Sequence, residues 1–234
     1  MKGVYIVLNY PDKENFRRIY DYLINCNLID FIEIGYPFND PVADGSVIAE
    51  AVEKVYDKVS YNDLKDILKI PCNKKRYVMT YANIIYNYGI KKFCEEFLSN
   101  LNGVIIADLP NRMHTIFKRM GFSIKITPFI TPASRLVDIE KLKESDSDFI
   151  YYVGVKGTTG TFVDSDKSLN EEKVRLIKEI TGKKVVYGFG IKSKDDVTRV
   201  LKFADGVVIG TEIVRRQPSY KSVKSYIENI YKML

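Results

Sequence analysis
The chain has 234 residues, 46% hydrophobic and 28% charged, a globular balance that excludes a disordered or low-complexity polymer. Its 36 Lys and Arg against 30 Asp and Glu leave a net charge of +6, which solubility alone explains and which favours anionic ligands only weakly. A single histidine, His114, excludes a two-histidine metal site within one chain, so acid–base chemistry must rest on carboxylates, Lys, Tyr or Cys.

Taken in chain order, β-branched apolar runs alternate with stretches of helical spacing. The expected strands are Val4–Tyr10, Asp30–Gly35, Arg76–Ala82, Gly103–Leu109, Ser123–Phe129, Asp148–Val155, Lys184–Gly190 and Gly206–Gly210. Between them the spacing predicts helices over Lys13–Asn25, Ser46–Asp57, Tyr61–Leu68, Gly89–Ser99, Asn111–Met120, Ser134–Ser145, Glu171–Thr181, Lys194–Phe203 and Tyr220–Met233. Ser134, Asn170-Glu171-Glu172 and Ser193-Lys194-Asp195-Asp196 read as helix starts. Eight βα units without a Pro/Gly/Ser-rich linker imply an α/β fold, a closed (β/α)8 TIM barrel filling residues 1–234 as one domain. The first strand has no glycine fingerprint after it, which argues against an open doubly wound sheet. Cys26, Cys72 and Cys94 form no CxxC pair and fit a reduced, cytoplasmic chain. The opening apolar run is too short for a signal peptide, and no run reaches membrane-spanning length.

Reactive groups of such barrels lie at the C-terminal strand ends. Glu33 interrupts the second strand, with Ile32 and Ile34 on the opposite face, so alternation points it into the barrel. Burial there raises a carboxyl pKa and makes a general acid usable near neutrality; a structural Glu paired with a buried base is the plain alternative. The loop that follows holds Asp40 and Asp44 among Pro37, Pro41 and Gly45, stiff enough to place one carboxylate above the mouth, although either Asp also suits a turn cap. Gly188-Phe189-Gly190 and Gly210-Thr211 end the last two strands, where barrels often bind phosphate, and where glycines also serve tight turns. The sixth loop, Gly154 to Thr161, is small and hydroxyl-rich, as in a mobile lid or a plain surface loop. Tyr5 and Tyr151 are expected to show aromatic faces inside the barrel, while Tyr81, Asn83 and Asp108 stand at strand ends. His114 is expected to be exposed, and Arg215-Arg216 to form a solvated face.

The segment Ile32-Glu33-Ile34-Gly35-Tyr36-Pro37-Phe38-Asn39-Asp40-Pro41-Val42-Ala43-Asp44-Gly45 closely resembles the tryptophan synthase alpha subunit family. So, in the same order, do Met79-Thr80-Tyr81-Ala82-Asn83, Ile106-Ala107-Asp108-Leu109-Pro110, Gly157-Thr158-Thr159-Gly160 and Gly188-Phe189-Gly190-Ile191. The resemblance implies a barrel lyase of tryptophan biosynthesis that cleaves indole-3-glycerol phosphate to indole and glyceraldehyde 3-phosphate. It implies Glu33 and Asp44 as catalytic carboxylates, and phosphate contacts at Thr159, Gly160, Gly188, Phe189, Gly190, Gly210 and Thr211. Tyr81 and Tyr151 match positions near the substrate. No metal or cofactor is implied in this chain; pyridoxal phosphate is expected in a beta-subunit partner. The sequence departs from the family pattern at Val155-Lys156, at Ser46 and at Ile48-Ala49, positions that bear on coupling to that partner, and its first strand is expected from Val4, where the family carries a preceding helix. Competing readings are indole-glycerol-phosphate synthase, which would need a strand-end lysine such as Lys125 or Lys156, a non-catalytic phosphate-binding regulator, and a nucleic-acid binder resting on charge alone.

Overall fold
Eight short runs rich in Val, Ile and Tyr pair side by side in the computed structural model, which describes residues 1–154 and 165–232. In chain order the elements are β1 (Lys2–Val7), α1 (Lys13–Asn25), β2 (Phe31–Gly35), α2 (Ser46–Glu53), α3 (Tyr61–Leu68), β3 (Lys75–Thr80), α4 (Ala82–Tyr88), α5 (Ile90–Phe97) and β4 (Gly103–Ile106). There follow α6 (His114–Arg119), β5 (Phe129–Ile130), α7 (Leu136–Glu140), β6 (Ile150–Val153), α8 (Ser165–Thr181), β7 (Val185–Gly188), α9 (Lys194–Val200), β8 (Gly206–Ile209), α10 (Thr211–Arg216) and α11 (Tyr220–Tyr231).

The strands pair in parallel in the order β4-β3-β2-β1-β8-β7-β6-β5. The two ends of that sheet meet through a parallel bridge between Val104 and Ile126. Val104 N–H donates to the Lys125 carbonyl at 2.8 Å, and Thr127 N–H donates to the Val104 carbonyl at 2.9 Å, which closes the barrel. The Asn111 side chain continues the seam: its amide donates to the Phe129 carbonyl at 2.6 Å and accepts from Phe129 N–H at 3.1 Å. It occupies both backbone groups that a neighbouring strand would otherwise pair.

Each expected strand is present, but the fifth shrinks to Phe129–Ile130 because Pro128 interrupts the ladder and only the Ile126 bridge precedes it. The helix expected over Gly89–Ser99 is α5; an unexpected helix, α4, precedes it and is divided from it at Gly89, whose φ of +97° an α-helix cannot absorb. Helix α8 begins at Ser165 rather than at Asn170. Asn170 is instead buried within it, accepting from the Tyr152 hydroxyl at 2.7 Å and donating to the Gly154 carbonyl at 3.1 Å. Ser134 does not cap α7; its hydroxyl accepts from Thr131 N–H in the preceding turn. Ser193 does open α9, in a reciprocal capping box with Asp196.

Alternation along the strands sorts the core into two layers. Val4, Ile6, Ile32, Ile34 and Val78 face outward, against α1 through Phe16, Ile19, Tyr20 and Leu23, which recur at helical spacing. Tyr5, Val7, Phe31, Tyr77, Ile105, Tyr151, Val186 and Val208 fill the barrel interior. At the N-terminal end the rings of Phe31, Tyr77 and Phe149 pack with centroids 5.1–5.8 Å apart. Asp148 seals that floor, accepting from Lys75 Nζ at 2.6 Å, Lys125 Nζ at 2.8 Å and the Tyr77 hydroxyl at 2.9 Å.

Candidate active site
Glu33 stands at the centre of β2, in register with Tyr5 of β1 and Tyr77 of β3. Ile32 and Ile34 pack outward as the alternation requires, and Glu33 is wholly buried. Neither of its carboxylate oxygens has a hydrogen-bond partner of good geometry in the protein. Burial pushes the carboxyl from its ordinary 4.5 up to about 8, against a weaker downward pull from the nearby Tyr151 hydroxyl. A neutral carboxylic acid at pH 7 is thereby held inside an aromatic-walled barrel.

Asp44 follows the stiff loop after β2 and immediately precedes Gly45, the N-cap of α2. Its carboxylate accepts a hydrogen bond from the Tyr81 hydroxyl at 3.1 Å, and that hydroxyl accepts in turn from Ala43 N–H at 3.2 Å. The phenol thus ties the loop to the end of β3. Burial raises the Asp44 carboxyl to about 6, tempered by the Tyr81 bond. At neutral pH the two acids therefore sit on opposite sides of ionisation, the arrangement that separates an acid from an anionic partner. Asp40 is exposed on the loop and lines neither cavity described next.

Two cavities open above the C-terminal strand ends. The first, about 350 Å³, is bounded chiefly by Met79, Ala107, Leu109, Phe129, Val153 and Phe189. The second, about 230 Å³, brings together Tyr5, Asp44, Tyr151, Phe189, Gly190, Gly210 and Thr211. Met79 and Phe189 line both. Phe189 has φ +82°, a conformation that costs a bulky residue about 1–3 kcal/mol, and Gly190 follows at +72°. The β7–α9 turn spends that strain on setting the Phe189 ring between the cavities.

The remaining expected positions divide. Gly188 lies inside β7, and a Cβ there would run into the Tyr151 ring, so this glycine makes room for that aromatic side chain. Tyr81 reaches the site through Asp44. Thr159, Gly160 and the sixth loop beyond Gly154 lie outside the described residues. Asp108 caps the start of α4, accepting from Ala82 N–H at 2.7 Å. His114 is half-buried rather than exposed, because it folds back beside the Leu109 carbonyl; burial lowers its pKa to about 4. Arg215 is exposed, as expected, and pairs with Glu212; with Lys192 it also lines the second cavity. Sequence reasoning missed these two cations and the apolar wall, since strand-borne Met79, Phe129 and Val153 read as ordinary core.

Residues 4–232 match the family model described as tryptophan synthase alpha chain. A tryptophan synthase alpha chain of Staphylococcus carnosus is 34% identical over 232 residues, covering 92% of this chain and 91% of that protein. One from Aquifex aeolicus is 31% identical, with 90% of this chain and 83% of that protein covered. Among solved structures, tryptophan synthase subunit alpha from Campylobacter jejuni superposes with a TM-score of 0.87 at 28% identity, over 98% of this chain and 95% of that one.

Proposed function
The chain belongs to the tryptophan synthase alpha chain family, and from that premise we propose how its own residues cleave indole-3-glycerol phosphate to indole and glyceraldehyde 3-phosphate. The observation that carries the assignment is Glu33: a wholly buried carboxyl with no hydrogen bond of good geometry among the described residues, its pKa pushed up to about 8, inside a barrel whose mouth also holds Asp44.

Retro-aldol cleavage needs a proton on the indole ring carbon that bears the side chain, and removal of the proton from the adjacent glycerol hydroxyl. Protonated Glu33 supplies the first. Its resulting carboxylate accepts the hydroxyl proton, the O–H electrons form the aldehyde C=O, and the breaking C–C bond returns its pair to the ring. Ionised Asp44 accepts a hydrogen bond from the ring N–H while positive charge builds there. Each such group contributes roughly 10²–10⁴-fold in rate. Backbone N–H groups around Gly190, Gly210 and Thr211 face the phosphate, with Phe189 and Gly188 shaping that end, and Thr159 and Gly160 assigned to it from sequence. Tyr5, Tyr81 and Tyr151 surround the reacting carbons.

The competing synthase reading needs a strand-end lysine at the mouth; Lys125 is engaged with Asp148 at the opposite end of the barrel, and Lys156 lies outside the described residues. We assign the whole of residues 1–234 to one catalytic domain acting in the cytoplasm, a reading supported by free Cys26, Cys72 and Cys94; among the described residues no helix is long and apolar enough to cross a membrane. The partner is a beta subunit, which carries the pyridoxal phosphate and consumes the indole. Exposed Val42, Tyr86 and Met113 follow β2, β3 and β4 on the mouth side, where such a partner would seal the site. Indole release from indole-3-glycerol phosphate, assayed with and without a beta subunit, tests the assignment: indole is expected in both, faster with the partner, and none in either would remove it.

A further inference from the structure
Tyr5 leaves β1 in register with Glu33 on β2, so the two side chains enter the barrel at one level. Its ring is framed by two glycines. A Cβ on Gly35 would collide with the hydroxyl end of Tyr5, and a Cβ on Gly210 would lie 3.7 Å from Tyr5 Cβ and Cδ1. The residue is only 5% exposed, yet it lines the second cavity beside Asp44, Tyr151 and Thr211. No hydrogen bond to a described residue holds its hydroxyl. Burial first, and the Asp44 carboxylate next, keep the phenol neutral, so it faces the cavity as a donor.

A ligand with an indole ring at the apolar end and a phosphate near Gly210 and Thr211 must run its linking chain past this hydroxyl. We infer that Tyr5 donates a hydrogen bond to a hydroxyl of the glycerol chain, and so distinguishes a hydroxylated phosphate ester from an alkyl phosphate on the same ring. The inference rests on the proposed cleavage and assigns Tyr5 to selection of the chain between ring and phosphate. A buried donor left unpaired disfavours a ligand that lacks the accepting oxygen, which is how one hydroxyl confers selectivity.

The test is Tyr5→Phe, which keeps the ring and removes only the hydroxyl. Two ligands are compared on wild type and variant: indole-3-glycerol phosphate by kcat/KM, and indolepropyl phosphate, which has no chain hydroxyls, by dissociation constant. The expected result is a roughly 3- to 10-fold fall in kcat/KM, with indolepropyl phosphate bound as tightly as by the wild type or more tightly, because the unpaired donor is gone. An equal loss on both ligands would mean that the ring has merely shifted, and no loss on the glycerol phosphate would mean that the hydroxyl is idle; either overturns the inference. Absence of indole from the wild-type reaction would strike the cleavage itself, and the selectivity with it, before any variant is compared.

Discussion

Glu33 owes its chemistry to its neighbours' silence. A carboxyl on an exposed strand would be ionised at pH 7; one wholly buried, with only the weak pull of the Tyr151 hydroxyl among the described residues, retains its proton to about 8. The same fact has a stability consequence. Between the ordinary value of 4.5 and about 8 the folded chain binds a proton that the unfolded chain has released, so folding stability falls as pH rises through that window. Glu33→Gln, neutral at every pH, should flatten this dependence, and thermal denaturation of both proteins from pH 5 to 9 checks it. An unchanged slope would show that Glu33 is ionised at rest. This residue was legible in the sequence because an acid in the middle of Phe31-Ile32-Glu33-Ile34 violates the apolar pattern. Asp44 was legible by its stiff loop. Its tether to Tyr81 was not, because the bond joins loops from different βα units.

Elements show where local pattern stops deciding. Helix α1 follows its apolar spacing from end to end, since Asp12 caps it by accepting from Asn15 N–H at 2.9 Å and its buried face recurs every three to four residues. Helix α10 was not expected, because six residues offer too little periodicity, yet it brings Thr211 and Arg215 to the mouth. Its end is fixed by Gln217, the only glutamine of the chain, which is wholly buried. The Gln217 side-chain Oε1 accepts from Val7 N–H at 3.0 Å, and its side-chain Nε2 donates to the carbonyls of Val7 at 2.6 Å and Tyr10 at 2.8 Å. Composition revealed that the residue was rare and nothing of what it holds. Gln217→Leu strands these backbone groups at the end of β1 and should cost about 2–4 kcal/mol, read as a lowered midpoint in urea denaturation. A loss below about 0.5 kcal/mol would show that the contacts are replaceable.

Across the whole molecule the barrel divides its labour between its two ends. The floor is an ionic seal and the mouth is the site. Partial burial alone would raise the Asp148 carboxyl, but donors from Lys125, Lys75 and Tyr77 outweigh it and hold the carboxyl at about 2. A depressed pKa contributes stability above the unfolded value near 3.8 and loses it as pH falls toward 2. Asp148→Asn should therefore cost roughly 1–3 kcal/mol at pH 7 and progressively less toward pH 2, with cleavage kinetics unaltered at the far end of the barrel. Denaturation at pH 7 and pH 3 gives the comparison, and an equal cost at both would refute the ionic account. The eight-unit architecture was legible because parallel barrel strands are buried on both faces and read as unbroken apolar runs. The seam between β4 and β5 was not. It depends on one bridge and on Asn111, a polar residue whose role appears only when Phe129 lies beside it.

The central claim is that Glu33 delivers the proton while Asp44 stabilises the charge. Its most direct test is kcat/KM for indole release as a function of pH, in wild type and in Glu33→Gln. The wild-type profile should rise through about 6 as Asp44 ionises and fall above about 8 as Glu33 loses its proton. The variant should lose roughly 10²–10⁴-fold while still binding indolepropyl phosphate. A Glu33→Gln protein that cleaves at the wild-type rate, with the same alkaline limb, would contradict the account.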